Sequence, residues 1–207
     1  MTMPLQAPDG QPIERANEAD IPALARMLAA AFAADPFWRW LVGNGDDVAE
    51  RMELGFAAQL RHLALPHGLV YCTPARTAAA LWSPPSQWHL GLRQQLQVLP
   101  DFIAAIGWRR LLPVQRAIHA VQKVHPAQPH YYLQVLGVDP ACQGQGLGHT
   151  LLAPMLRMAD QRHTPVYLET ANPDNLGFYR RYGFELTSEL SLPAGAPPLW
   201  LMWRPAP

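Results

Sequence analysis

A cluster of glycines between an apolar run and a helical pattern is the feature that most constrains this chain. Gly144, Gly146 and Gly148 fall within five positions, directly after the run Tyr131–Val138 and before a helical pattern that continues to about Gln161. This order predicts a strand, a tight loop and a helix start. Backbone N–H groups at such a helix start point in one direction, and together with the positive end of the helix dipole they favour a bound phosphate.

The spacing of these glycines argues against two common nucleotide-binding loops. The order Gln143-Gly144-Gln145-Gly146-Leu147-Gly148 lacks the GxGxxG spacing of a dinucleotide fold, and it lacks the Gly-Lys-Ser/Thr ending of a P-loop. A plain helix start that happens to contain glycines is the remaining structural alternative.

Composition narrows the class of partner. The 207 residues carry 16 Lys and Arg against 16 Asp and Glu, so the chain has no broad basic field for nucleic acid or an anionic membrane surface. The sequence contains no apolar stretch near the ~18 residues of a membrane span, and its start has neither a basic region nor an apolar signal core. We therefore expect a cytoplasmic protein with no nucleic-acid partner and no membrane partner.

Cysteine and histidine spacing predicts neither a disulfide framework nor a metal centre. Cys72 and Cys142 lie far apart, and the eight histidines show neither HxxxH nor HExxH spacing. Two distant cysteines make no disulfide framework, and the histidines lack the spacing of metal ligands. We therefore expect two free thiols and no metal.

Hydrophobic periodicity predicts alternating strands and helices within one domain, residues 1–207. Strands are predicted at 12–16, 69–72, 77–82, Tyr131–Val138, Val166–Thr170 and in two final segments that end near Trp203. Helices are predicted at 21–32, at 46–63, from the end of the glycine loop (residues 143–148) to Gln161, and at 176–181. The first of them is expected to end near Asp35-Pro36. Residues 88–124 are predicted to form two or three helices broken at Pro100 and Pro113, within a helical insert at about 86–126.

Two linked motifs resemble those of a known family. Residues 143–148 resemble motif A of the GNAT superfamily of acyl-CoA-dependent N-acyltransferases, Gln/Arg-x-x-Gly-x-Gly/Ala. Residues 172–184 resemble its motif B, Asn-x6-Tyr-x3-Gly-Phe. Ala80-Leu-Trp, Leu168-Glu-Thr, the helical insert and Pro154 in the motif A helix make the chain most similar to the puromycin N-acetyltransferase-like branch.

The resemblance implies an α/β fold, the GNAT fold. Its sheet is mixed and mostly antiparallel, with helices on both faces and with strands 4 and 5 parallel and splayed to admit the cofactor. The helical insert would lie before strand 4. Pro154 would kink the motif A helix because proline removes one helix hydrogen bond.

The same resemblance implies acetyl-CoA as the acyl donor and no metal. Backbone amides of the glycine loop would hold the CoA pyrophosphate, and backbone groups of the strand Tyr131–Val138 would bind the pantetheine arm as a neighbouring strand does. An amide of that strand would also face the thioester carbonyl, where one such donor is typically worth about 3 to 4 kcal/mol. A turn role for Asn175 is as consistent with the sequence as cofactor contact. The cofactor-binding residues implied are Leu136, Gly137, Val138, Gln143, Gly144, Gln145, Gly146, Leu147, Gly148, His149, Asn175 and Tyr179.

Two side chains are candidates for catalysis. Tyr179 is the motif B tyrosine, which in the family lies near the CoA sulfur, so its phenol would protonate the departing thiolate; the alternative is a core aromatic. Glu169 would accept a proton from the acceptor amine, and the alternatives are a rim or structural carboxylate and a water relay. Alternation along the strand places Glu169 on the same face as Tyr167. His130 and Tyr132 are weaker candidates for substrate contact.

These observations predict an N-acetyltransferase that moves an acetyl group from acetyl-CoA to a primary amine of a small molecule, by direct attack in a ternary complex. Aromatic and arginine side chains of the insert and of residues 37–40 are candidates for the lining of a closed acceptor pocket. A protein N-terminal or lysine acetyltransferase would instead have an open groove. A non-catalytic acyl-CoA-binding sensor or interaction module is the third alternative, which Tyr179 and Glu169 oppose. The sequence distinguishes neither monomer from homodimer nor one acceptor from another.

Overall fold

A computed structural model describes residues 12–88 and 91–207 of the chain, with only the backbone described at 92–94. The expectations for the first eleven residues and for positions 89 and 90 of the predicted insert lie outside these ranges. The strands are β1 (Glu14–Arg15), β2 (Val70–Cys72), β3 (Ala78–Ser83), β4 (Tyr131–Val138), β5 (Val166–Thr170), β6 (Glu185–Leu190) and β7 (Leu199–Arg204). The α-helices are α1 (Ile21–Ala31), α2 (Pro36–Val42), α3 (Val48–Gln59), α4 (Leu92–Ile106), α5 (Leu111–Val124), α6 (Leu147–Gln161) and α7 (Asn175–Arg180).

The seven strands form one mixed sheet in the order β1-β2-β3-β4-β5-β7-β6. Its central neighbours β4 and β5 run parallel. The other neighbouring strands run antiparallel. The helices α4 and α5 stand between β3 and β4 in the chain, where the insert was expected. The predicted fold class is therefore confirmed.

Each face of the sheet is covered by its own hydrophobic core, as layered folds require. On one face, Leu28 of α1 and Phe56 of α3 pack with Leu81 of β3. On the other face, Leu151 of α6 packs with Leu168 of β5. Because both faces are covered, the central strands are buried on both sides, and this is why β3 is an almost unbroken apolar run.

Gly137 lets helix α1 lie directly on β4. A Cβ atom at this position would be 2.5 Å from Cδ2 of Leu28 and 3.2 Å from Cε2 of Phe32, closer than such atoms pack. The absence of a side chain therefore brings the helix against the backbone of the strand that leads into the glycine loop.

Helix α2 was not predicted. The pair Asp35-Pro36 was interpreted as the end of the preceding helix, but α1 ends at Ala31 and Asp35 begins a new helix. Its carboxylate accepts a hydrogen bond from the backbone N–H of Trp38 at 2.9 Å, and Pro36 occupies the first helical position, where no N–H is needed. The pair therefore marks the start of a helix and not the end of the preceding one.

The predicted helix break at Pro100 is wrong. Helix α4 continues through Pro100 and ends at Ile106, and Gly107 follows with a φ of 76°. Proline frees the carbonyl of Leu96 four residues earlier, and Leu96 is 63% exposed, so water can reach this part of the helix. Pro113 lies in the first turn of α5, where proline is tolerated.

Helix α3 is followed by a π-helical turn, and helix α6 contains a proline. The chain continues from α3 into a π-helical turn at Leu60–Ala64, which extends the predicted helix at 46–63. Helix α6 continues through the buried Pro154 to Gln161. Across the described ranges, none of the helices is both long and apolar enough to cross a membrane.

Candidate active site

The parallel strands β4 and β5 part near their middle. Their pairing is confined to Tyr131 with Val166, Tyr132 with Tyr167, and Leu133 with Leu168. Beyond these pairs β4 continues to Val138 and β5 to Thr170 without facing each other in the ladder. The backbone of the second half of β4 is therefore free of a strand partner on the β5 side, as the predicted splay requires.

A β-bulge at Gln134 lies at the point of separation. Leu81 of β3 pairs with Val135 and Trp82 pairs with Leu133, so Gln134 has no partner in that register. Leu133 packs in the core of the α6 face, whereas Val135 packs in the core of the α1 face. One extra residue thus switches the side-chain alternation and turns the backbone of β4 where β5 departs.

The glycine loop presents unsatisfied backbone donors. Gly144 and Gly146 have φ values of 75° and 81°, and a Cβ atom at either position would meet no protein atom within 4 Å. Gly146 is the N-cap of α6, and no side chain caps this helix start. The first N–H groups of α6 therefore have no partner within the helix, which is the arrangement that binds phosphate groups.

Side chains around the loop hold it in place. The Asp139 carboxylate accepts a hydrogen bond from the N–H of Ala141 at 2.9 Å, and the Gln143 amide donates to the carbonyl of Val138 at 3.3 Å. His149 Nδ1 lies 2.9 Å from the hydroxyl of Tyr182. These bonds tie the loop to the end of β4 and to the segment after α7.

Glu169 lies on β5 just past the last residue paired with β4. Its side chain is only 9% exposed. The hydroxyl of Tyr132 donates to its Oε2 at 2.7 Å, and its Oε1 lies 3.6 Å from Nδ1 of His125 but accepts no hydrogen bond from any described residue. A buried carboxylate with one oxygen left without a hydrogen bond is unusual, and it suits a group that takes up a proton.

Tyr179 lies on α7 with its ring in the core of the α6 face. The residue is 8% exposed, and its ring makes edge contacts with Phe178 and Phe184 at centroid distances of 5.2 and 5.8 Å. Burial raises the pKa of its phenol, so the group keeps its proton at neutral pH. The ring therefore packs in the core, and the role of its hydroxyl as the donor to the departing thiolate stays a prediction.

Asn172 and Asn175 fix the short connection between β5 and α7. The amide of Asn175 donates to the hydroxyl of Thr170 at 3.2 Å, and the side-chain oxygen of Asn172 accepts from the N–H of Asp174 at 3.0 Å. These bonds are the turn role predicted for Asn175, and they join the start of α7 to Thr170 at the end of β5. Cofactor contact by Asn175 stays a prediction.

The surroundings of Glu169 include an aromatic cluster that the sequence did not reveal. His125, directly after α5, has ring contacts with Trp88, Tyr132 and Tyr167 at centroid distances of 3.5, 5.0 and 4.7 Å. Tyr132 and His130, named as possible substrate contacts, make hydrogen bonds with Glu169 and His125, respectively. Their contact with a substrate stays a prediction. The sequence carries no signal that His125, 44 positions before Glu169, would reach it.

Helix α2 contacts the connection that precedes β7, beyond the end of β5. Leu201 of β7 pairs with Glu169, so the connection at 191–198 that precedes β7 lies past the end of β5. The indole N–H of Trp40 on α2 donates to the carbonyl of Ala194 in this connection at 3.3 Å. The guanidinium of Arg110, from the insert, lies over the Trp40 ring at 5.4 Å. Trp40 thus contacts both the insert and the connection that precedes β7. A role of these segments in lining an acceptor pocket stays a prediction.

A cavity of about 420 Å³ opens beside the aromatic cluster. It lies between the connection from α5 to β4 and the strands β5, β6 and β7. Its lining, which contains no charged side chain, includes Pro126, Gln128, Tyr167, Thr187, Leu201 and Trp203.

Comparison with known sequences gives one family. Residues 80–184, just over half of the chain, match the sequence profile of the Acetyltransferase (GNAT) family. An uncharacterized N-acetyltransferase of Schizosaccharomyces pombe is 25% identical over 182 residues, which are 83% of this chain and 73% of that protein. An acetyltransferase of Agrobacterium fabrum is 39% identical over 39% of this chain, and mycothiol acetyltransferase of Saccharomonospora viridis is 40% identical over 30%. The matches span 60% and 24% of those two relatives.

Solved structures with the same fold cover nearly the whole chain. The structure described as histone acetyltransferase HPA2 and related acetyltransferase from Corynebacterium glutamicum has a TM-score of 0.73 at 22% identity, over 94% of this chain and 96% of that one. Polyamine N-acetyltransferase of Drosophila melanogaster has a TM-score of 0.57 at 16% identity, over 94% and 99%. At these identities the likeness concerns the fold alone.

Proposed function

Because the chain belongs to the GNAT acetyltransferase family and is an acyltransferase, we propose that it transfers an acetyl group from acetyl-CoA to a primary amine of a small molecule. The reaction proceeds by direct attack in a ternary complex. The observation that carries this proposal is the position of Glu169, a buried carboxylate with a free oxygen, at the point where β4 and β5 part.

The donor side is formed by backbone groups. The N–H groups from Gln143 to His149 face the pyrophosphate, and the backbone of Leu136, Gly137 and Val138, which has no partner on the β5 side, pairs with the pantetheine arm. Acetyl-CoA supplies an activated acetyl carbon and a thiolate leaving group. An N–H group of β4 beside the bulge at Gln134 would donate to the acetyl oxygen and stabilise the negative charge that develops there.

Two side chains move the protons. Glu169 takes one proton from the ammonium form of the acceptor, which frees the nitrogen lone pair to attack the acetyl carbon. As the C–N bond forms and the C–S bond breaks, Tyr179 donates its proton to the sulfur. Its phenolate then regains the proton that the acetylated nitrogen loses. Glu169 releases its proton to solvent, so one proton is released for each acetyl group transferred.

The acceptor side favours a small molecule. The indole of Trp40 contacts the connection that precedes β7, where we expect it to obstruct an extended peptide, and the neighbouring cavity is within the size range of small-molecule sites. The names of the structural neighbours include a histone enzyme and a polyamine enzyme, so they do not separate a protein acceptor from a small one. Tyr179 and Glu169 weigh against a sensor without activity.

A panel of amines tests the acceptor class. We expect the full-length protein to release CoA from acetyl-CoA with one class among aminonucleosides, amino acids, polyamines and peptides with free N-termini or lysines, and the class to be a small molecule. A preference for peptides would replace the proposal with a protein acetyltransferase. Binding of CoA without release in the presence of any amine would replace it with a sensor or interaction module.

The cofactor site is tested by two matched glycine variants. Gly146 and Gly195 have φ values of 81° and 70°, and a Cβ atom at either would meet no protein atom within 4 Å. Gly146→Ala and Gly195→Ala therefore carry the same backbone strain, about 1 to 2 kcal/mol. We expect Gly146→Ala alone to raise the Kd for CoA, by about tenfold, in calorimetric titrations, because its methyl group lies where the pyrophosphate binds. Equal Kd values for both variants would contradict this position of the pyrophosphate.

A further inference from the structure

A chain of three polar groups ends at the free oxygen of Glu169. Nδ1 of His130 lies 2.6 Å from the carbonyl oxygen of Gln128, Nε2 of His130 lies 3.0 Å from Nε2 of His125, and Nδ1 of His125 lies 3.6 Å from Oε1 of Glu169. Both histidines are buried, with relative exposures of 8% for His125 and 1% for His130. The proposed reaction assigns no role to either of them.

The carbonyl of Gln128 determines which ring nitrogens of His130 and His125 carry protons. A carbonyl oxygen only accepts hydrogen bonds, so Nδ1 of His130 carries a proton. Burial lowers the pKa of His130, which leaves the ring neutral and its Nε2 an acceptor. Nε2 of His125 must then be the donor between the two rings. A neutral His125 therefore turns the lone pair of Nδ1 toward Glu169.

Two acceptors then face each other across 3.6 Å, with no proton between them. A carboxylate and an imidazole lone pair repel each other in this arrangement, and one added proton turns the contact into a hydrogen bond. We propose that His125 is a positioning residue that acts through Glu169: the two groups share the single proton that Glu169 takes from the acceptor amine. This inference rests on the proposed acetyltransferase reaction.

The other titratable groups around the pair stay neutral. Burial raises the pKa of Tyr132 and of Tyr167, and the charge of Glu169 raises both further. His130 stays neutral for the same reason: burial disfavours its cationic form and so lowers its pKa. Trp88 stacks on His125 and carries no titratable group. Among the described residues that surround the pair, these neighbours therefore do not compete for the shared proton.

The hydrogen-bonded groups from Gln128 to Glu169 hold a proton but do not conduct it further. If His125 passed its Nε2 proton to His130, the next acceptor would be the carbonyl of Gln128, which does not hold a proton. The proton must return through Glu169, the group that takes it from the amine in the proposed reaction. The two histidines thus keep the proton next to the reacting groups.

Nitrogen NMR of the histidine rings tests the arrangement without any substrate. In the 15N-labelled full-length protein at high pH we expect opposite tautomers, with the proton on Nε2 of His125 and on Nδ1 of His130. As the pH falls, His125 gains a second N–H in the wild type. In Glu169→Gln this second N–H should appear only at lower pH, since no carboxylate shares the proton. Identical tautomers, or a His125 titration unchanged by Glu169→Gln, would overturn the proposal.

Enzyme kinetics supply the second test. His125→Asn keeps a polar group near Glu169, but its amide donates to the carboxylate and cannot take up a proton. We expect kcat/KM to fall about tenfold and the acidic limb of the pH profile to move to lower pH. His119→Asn, the same change at an exposed position of α5, should alter neither. An equal fall at every pH would make His125 a structural residue and overturn the proposal. If no amine is acetylated at all, the proposed function fails, while the NMR experiment still decides the proton sharing.

Discussion

Replacing Glu169 with Gln is expected to lower kcat/KM for the acceptor amine by about 10²- to 10³-fold and to leave the Kd for CoA unchanged. Gln has nearly the shape of Glu, and its carbonyl oxygen can still accept the hydrogen bond from Tyr132. It cannot accept a proton from the ammonium group, so only the step that frees the amine is lost. Steady-state kinetics at saturating acetyl-CoA, with calorimetric titration of CoA, would measure both quantities.

Glu185→Gln is the matched control for this variant. Glu185 is the first residue of β6 and is exposed, so the same change of charge there should leave kcat/KM at the wild-type value. A wild-type kcat/KM in Glu169→Gln would assign the proton to a water relay, one of the alternatives left open by the sequence, and the carboxylate would then be structural. Recovery of the rate of Glu169→Gln at high pH, where the amine is already deprotonated, would support the assigned role.

Hydrophobic periodicity was sufficient to predict most of the strands and helices. The parallel pair β4 and β5 in a mixed sheet was implied by the family resemblance, which the glycine loop and the Phe-Tyr-x-x-x-Gly-Phe segment carry. Two local errors have local causes. Asp35-Pro36 begins a helix but was interpreted as the end of one, and Pro100 lies in a helix whose neighbouring turn is exposed. The puromycin N-acetyltransferase-like branch stays a prediction.

The site was predictable only where it depends on alternation along a single strand. The alternation of side chains along a strand places Glu169 on the same face as Tyr167, and both contact His125. The bulge at Gln134 breaks that alternation in β4, and its only trace in the sequence is one polar residue within an apolar run. His125 comes from a different element, so its contact with Glu169 depends on how the insert packs, which no local pattern encodes.

Replacing Tyr179 with Phe is expected to lower kcat by about 10²-fold while the Kd for CoA stays at the wild-type value. The ring would keep its contacts with Phe178 and Phe184, and only the hydroxyl would be lost. Because burial raises the pKa of this phenol, the hydroxyl is a weaker acid than usual, so we place the effect at the low end of the range for general acid catalysis. Single-turnover acetyl transfer would measure it directly.

The pH dependence separates this role from that of Glu169. A raised pKa means that the phenol of Tyr179 keeps its proton above its ordinary value of about 10, so no loss of activity from its ionisation is expected below that pH. The rate in Tyr179→Phe should therefore be reduced by the same factor across pH 6 to about 9, whereas the loss in Glu169→Gln should shrink as the pH rises. Tyr71→Phe removes a hydroxyl from another buried tyrosine of the same core and serves as the control. Wild-type single-turnover rates in Tyr179→Phe would leave this residue a core aromatic, and the leaving sulfur would then take its proton from another donor.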